Sequence, residues 1–237
     1  MSGRKRHDYV AVLRKLLEVL PQPPRVEQVV TDFERALWKA VASVMAWVGH
    51  RGCGFHWGQA VWRKIAEVGL QTAYQSDDAV YRYLRKLLAL PFLPADSITT
   101  VFGQLEADAT TPKLIQVTSY IRATWIDDSI WLPAVWSVFG QPIRTNNDCE
   151  GWHYRLNHRA ERGNLNMYLL FTLLHDEAQM AVVMERLLSD RKVRRSQRKA
   201  SRTCQAKLFR LWDEYEAGNR SVTRLLRACA HLYAPRR

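Results

Sequence analysis

The chain has 237 residues, 47% of them apolar and 11% aromatic with nine Trp, enough to build a sizeable core and to exclude a disordered protein. No window approaches the roughly 18 uninterrupted apolar residues of a membrane span, and Arg4, Lys5, Arg6, His7 and Asp8 lead into an amphipathic pattern rather than a secretory signal. A net charge of +12 and a pI near 9.8 imply a polyanionic partner, either nucleic acid or an anionic membrane surface. In chain order, residues 8–20 predict a helix with Asp8 as its cap and Val10, Leu13, Leu16, Leu17 and Leu20 as its apolar stripe. Pro21, Pro23 and Pro24 end it. Residues 26–30 are short, β-branched and bounded by breakers, which predicts a strand. Thr31-Asp32-Phe33-Glu34 has the Thr-x-x-Glu form of a capping box and predicts a helix over 33–47. Asp32 therefore falls where a strand meets a helix, and helix, strand, helix at this spacing predicts an α/β layer.

A glycine-rich crossing, Gly49 through Trp57, leads into a predicted helix over 59–68. Residues 70–132 carry helical spacing (Tyr81, Leu84, Leu87, Leu88; Ile98, Val101, Phe102, Leu105) punctuated by Pro91, Pro94 and Pro112, which predicts a helical insertion. Trp131, Trp136 and Phe92-Leu93-Pro94 are expected in the core. Asn147 or Asp148 can cap a further helix through Ala160, because their side chains accept hydrogen bonds from first-turn N–H groups. Helices are also expected over 171–188 and 205–217. Between them lies a basic run, with Arg191, Lys192, Arg194, Arg195, Arg198, Lys199 and Arg202.

Candidate chemistry concentrates in three places. On the helix after Asn146, residues Asn147, Glu150, His153, Tyr154 and Asn157 share a face, a polar stripe containing a carboxylate. The helix dipole favours Glu150 there whatever its function. Asp32 can serve as a cap or as a site carboxylate. Cys53-x-x-His56 has the spacing of half a zinc site, which His50, Cys149 and His153 could complete; the same pair fits a packed Cys with a His aimed at substrate or at a carboxylate. The four cysteines form no C-x-x-C pair and are expected as reduced thiols in an intracellular protein. The basic run suits phosphate contact, since each neutralised phosphate releases a counterion, and it suits a solvated helix face equally.

Taken together, these segments resemble one family. Val29-Val30-Thr31-Asp32-Phe33-Glu34-Arg35-Ala36 is similar to the DFE-x-A strand end of Mutator-like element (MULE) transposases. Gly52-Cys53-Gly54-Phe55-His56-Trp57-Gly58-Gln59-Ala60 resembles their GC-x-FHW-x-QA segment, and Arg144-Thr145-Asn146-Asn147 through Glu150-Gly151-Trp152-His153 to Leu156-Asn157 resembles their RTNN-xx-EGWH-xx-LN helix. The order and approximate separation agree over nearly the whole chain. The resemblance implies an α/β, mostly helical protein with an incomplete ribonuclease-H-like core: 1–69 as partial core, 70–135 as an all-helical insertion, 136–188 as the return of the catalytic helix, and 189–237 as a basic helical C-terminal region. It implies DNA cut-and-paste chemistry with Mg²⁺ or Mn²⁺ held by acidic residues, Asp32 as the second acid and Glu150 as the third. Cys53 and His56 would stand near the metals and the DNA, as the C-x-x-H pair. Arg144, Asn147 and His153, with Arg191, Lys192, Arg194, Arg195, Arg198 and Lys199, are the expected DNA contacts. The implied setting is nuclear, with DNA as partner, possible self-association and no membrane.

One departure matters. The family's first Asp lies on a strand well before the DFE segment, whereas Asp8 is the only Asp ahead of Asp32 and stands at the head of a helix. The expectation is a chain that begins inside the domain, lacks that acid and the first three strands, and binds DNA without cutting it. A non-catalytic DNA-binding or protein-interaction protein adapted from such an element is the alternative.

Overall fold

The computed structural model describes residues 3–160, 166–189 and 199–233. Among the described residues a strand–helix–strand unit builds the one sheet. Strand β1 (Gln28–Thr31) follows the proline-rich breaker, helix α2 (Arg35–Val44) crosses over, and β2 (Gly49–Gly52) returns parallel to β1, in register from Gln28 opposite Gly49 to Thr31 opposite Gly52. Parallel strands need such a crossover because their ends lie at opposite edges. Helix α1 (Arg6–Val19) packs against α2. The fold is thus α/β and mostly helical, with a two-stranded parallel sheet.

Several local expectations are corrected. The Thr31–Glu34 capping box does not form: Glu34 precedes α2 without a side-chain cap bond, and its carboxylate instead accepts the Tyr9 hydroxyl at 2.9 and 2.8 Å. Tertiary contact with α1 has taken the side chain that the local motif would use. Asp8 does not cap α1 from outside; it lies in the first turn and accepts the Lys5 N–H at 3.0 Å. The segment expected as a glycine-rich crossing contains β2, whose pairing with β1 overrides its low strand propensity. Helix α3 (Gly54–Glu67) begins five residues earlier than expected, directly after that strand. Gly52 is required there, since a Cβ at this position would overlap the Phe33 ring.

The expected helical insertion consists of α4 (Gln71–Ser76), α5 (Asp78–Leu88), a short 3₁₀ turn (Leu90–Phe92), α6 (Ala95–Ala107), α7 (Pro112–Ile121), a π turn (Arg122–Ile126) and α8 (Pro133–Trp136). Their boundaries follow local chemistry. Asp77 caps α5 by accepting the Ala79 and Val80 N–H groups at 2.7 and 3.1 Å, a contact that stabilises by about 1 kcal/mol. Thr111 caps α7, and Pro112 sits at its first position, where a missing N–H costs nothing.

Trp57 of α3, Tyr74, Leu84, Phe102, Trp125 and Trp136 are buried in one continuous core. Residues 1–69 and 70–135 therefore share their packing. Two late helices join them: α11 (Lys199–Glu216) through Leu208 and Trp212, and α12 (Val222–Tyr233) through Leu225, Leu226, Cys229 and Ala230. The Trp212 indole donates to the Phe92 carbonyl at 2.9 Å, and Arg85 Nε donates to the Ala230 carbonyl at 2.8 Å, closing the end of α12. Gly218 turns the chain between α11 and α12 with φ of +75°, a conformation that favours glycine.

The chain divides into two compact units, Met1–Thr145 with Ala206–Arg237, and Asn146–Gln205. The second contains α9 (Asn147–Ala160) and α10 (Met167–Ser189), which begins before the expected residue 171. Arg159 ties these two helices together, pairing with Asp176 and Glu177, each at 2.8 Å. Among the described residues no helix is long and apolar enough to cross a membrane.

Candidate functional site

Asp32 directly follows β1, and Cys53 directly follows β2 and precedes α3. Both stand at the carboxyl ends of parallel strands, where α/β sheets characteristically build ligand sites. The first turn of α3 brings His56 back over this end, with His56 Nδ1 2.9 Å from Asp32 Oδ1. The Asp32 side chain is 53% exposed and that of His56 23%, so the pair is open to solvent on its carboxylate side. Two motifs that the sequence shows separately thus meet. A carboxylate beside an imidazole can orient the ring, stabilise its protonated form, or offer oxygen to a cation.

Asp32 is fixed by its backbone. Its carbonyl accepts the Trp38 indole N–H at 2.8 Å. The Trp38 ring in turn stacks on His50, with centroids 3.8 Å apart, and His50 Nε2 lies 2.8 Å from Thr31 Oγ1 across the two strands. Burial pushes the His50 pKa down to about 4, so this imidazole is neutral at physiological pH. His50 braces the site from behind. Cys53 is wholly buried at the strand–helix junction.

Arg144 also belongs to this unit. Its carbonyl accepts the Gly54 N–H at 2.9 Å, joining it to the head of α3. Gly54 is held closely, since a Cβ there would come 3.1 Å from Val138 Cγ1 and 3.3 Å from the Arg144 carbonyl oxygen. The Arg144 side chain reaches α12, where Nη2 donates to the Tyr233 hydroxyl at 3.1 Å. The helical C-terminal region expected over 189–237 contains α12, but sequence reasoning singles out neither its bounds nor Tyr233. Val222, Leu225, Leu226, Cys229 and Ala230 carry helical spacing that could have shown the helix; nothing local marks Tyr233 as a partner of Arg144.

The other candidates lie in the second unit. Asn147 opens α9; Asn147 and His153 are exposed, and Glu150 is partly buried in the first turns. The backbone N–H of Glu150 donates to the Asn146 carbonyl at 3.2 Å, so the helix starts where the Asn-Asn-Asp signal places it. Arg191, Lys192, Arg194, Arg195 and Arg198 fall outside the described residues. Lys199 is the first residue of α11, and Arg202, further along that helix, is exposed. Among the described residues no three His, Cys, Asp or Glu side chains group to hold a metal ion. Searches against protein-family models, curated proteins and solved structures find no match to this chain.

Proposed function

We infer that this chain is a DNA-binding protein of the Mutator-like transposase type, built on a ribonuclease-H-like core. The observation that carries the reading is the approach of Asp32 and His56, 2.9 Å apart at the carboxyl ends of β1 and β2. The DFE and C-x-x-H resemblances fall on these two residues. The net charge of +12 supplies the polyanion affinity that the reading needs. For that family the resemblance implies two divalent cations that activate a nucleophile and stabilise the leaving oxygen of a phosphodiester. By the resemblance, Asp32 and Glu150 are the residues of this chain that would offer carboxylate oxygen to such cations. A nuclear setting accompanies the reading.

The test uses this chain with supercoiled plasmid and duplex DNA. The expected result is binding that weakens steeply with salt. Absence of DNA binding even at low salt would overturn the DNA reading itself.

A further inference from the structure

We propose that the Arg144 guanidinium, held in place by Tyr233 of α12, is a phosphate-binding group in the first compact unit, distinct from the basic run before α11. The proposal rests on the DNA-binding reading and names where one phosphodiester is held. Arg144 is partly buried, and Nη1 is buried with no hydrogen-bond partner among the described residues. No carboxylate of the described residues lies within 4.0 Å of it. Proteins seldom bury positive charge without a counter-ion, because desolvation is then uncompensated. A fixed guanidinium with no counter-ion among the described residues points to an anion supplied from outside.

The guanidinium is held in advance of any ligand. Nη2 donates to the Tyr233 hydroxyl at 3.1 Å, and the guanidinium carbon lies 5.5 Å from the centre of that ring, within cation–π range. Tyr233 is itself pinned by stacking on Phe92, with centroids 4.4 Å apart. The Arg144 backbone is anchored through the Gly54 N–H at the start of α3. An arginine immobilised in this way binds a phosphate oxygen with little ordering cost, which is the advantage of guanidinium over a mobile lysine.

The experiment measures binding of a fluorescent duplex oligonucleotide by anisotropy across a salt series without divalent metal, together with thermal melting of each variant. Arg144→Gln should weaken binding and reduce the slope of log K against log salt by about one, the loss of one phosphate contact. Arg144→Lys should retain the slope with weaker binding. Tyr233→Phe, which keeps the ring and removes the hydroxyl, should weaken binding roughly two- to five-fold with the slope unchanged, as expected when a charged donor is kept but less well held. Competition with inorganic phosphate against chloride at matched ionic strength separates sources. Equal competition marks the nucleic acid strand as the ligand, and selective displacement by phosphate marks a site for the free anion. If Arg144→Gln folds, binds DNA and keeps the parental slope, the proposal is wrong while the DNA-binding reading stands. A lowered melting temperature with unchanged binding in Tyr233→Phe would likewise reduce the contact to a structural one.

Discussion

The tryptophan-rich core and helix α10 spend similar residues in opposite ways. Trp57, Trp125 and Trp136 are at most 2% exposed, stacked or tilted against one another with centroids 5.1 to 6.0 Å apart. On α10, Tyr168 is 84% exposed, Phe171 63% and Met167 66%. Both stretches are strongly apolar in sequence. The core helices meet one another from several directions, while α10 pairs with α9, to which Arg159 and its two carboxylates tie it. Apolar content alone therefore does not make a core. Convergence of elements does, because an apolar face stabilises only when another removes it from water.

The comparison can be broken by substitution. Trp57→Ala should cost about 3–5 kcal/mol, the range for deleting a buried large aromatic, and lower the melting temperature by many degrees. Phe171→Ala should stay within about 0.5 kcal/mol in the same melting experiment, as surface changes do. Equal losses at the two positions would mean that α10 is packed after all. A smaller effect is expected at the junction of strand and core. Gly52→Ala forces a methyl group into the Phe33 ring and should destabilise by about 1–3 kcal/mol, typical of overpacking; an unchanged melting temperature would show that Phe33 moves aside freely.

The smallest effect is the pH response of His50. Burial holds its pKa at about 4 in the folded protein, below the 6.5 of the unfolded chain. The unfolded state therefore takes up the proton first, and stability falls as pH drops from about 6.5 to 4, recovering as pH rises. His50→Gln should flatten the melting temperature over that window relative to the parent. An identical pH profile in the variant would remove His50 from the account.

Much of the helical frame was legible from the chain. The apolar periods of α5 and α6 and the Asn-Asn-Asp start of α9 are local signals, and each element forms where its signal lies. The Thr31–Glu34 box failed as a guide because a residue 25 positions away, Tyr9, competes for the Glu34 carboxylate. β2 was hidden for the same kind of reason. Gly-His-Arg-Gly has little intrinsic strand preference, and its conformation comes from the hydrogen-bond ladder that β1 offers.

The candidate site divides along the same line. Asp32, Cys53, His56, Arg144 and Glu150 could each be singled out by residue type and motif. Their partners could not: His56 against Asp32, Thr31 against His50, and Tyr233 against Arg144 are separated by 24, 19 and 89 positions. By itself the sequence determined the helical character of most of the chain, the charge that asks for a polyanion, and the residues able to carry chemistry. Those depend on backbone preference and side-chain type, which are properties of short stretches of chain. Only the tertiary structure decided which side chains meet, because a contact across tens of residues is fixed by how buried faces pack, and no local pattern encodes that choice.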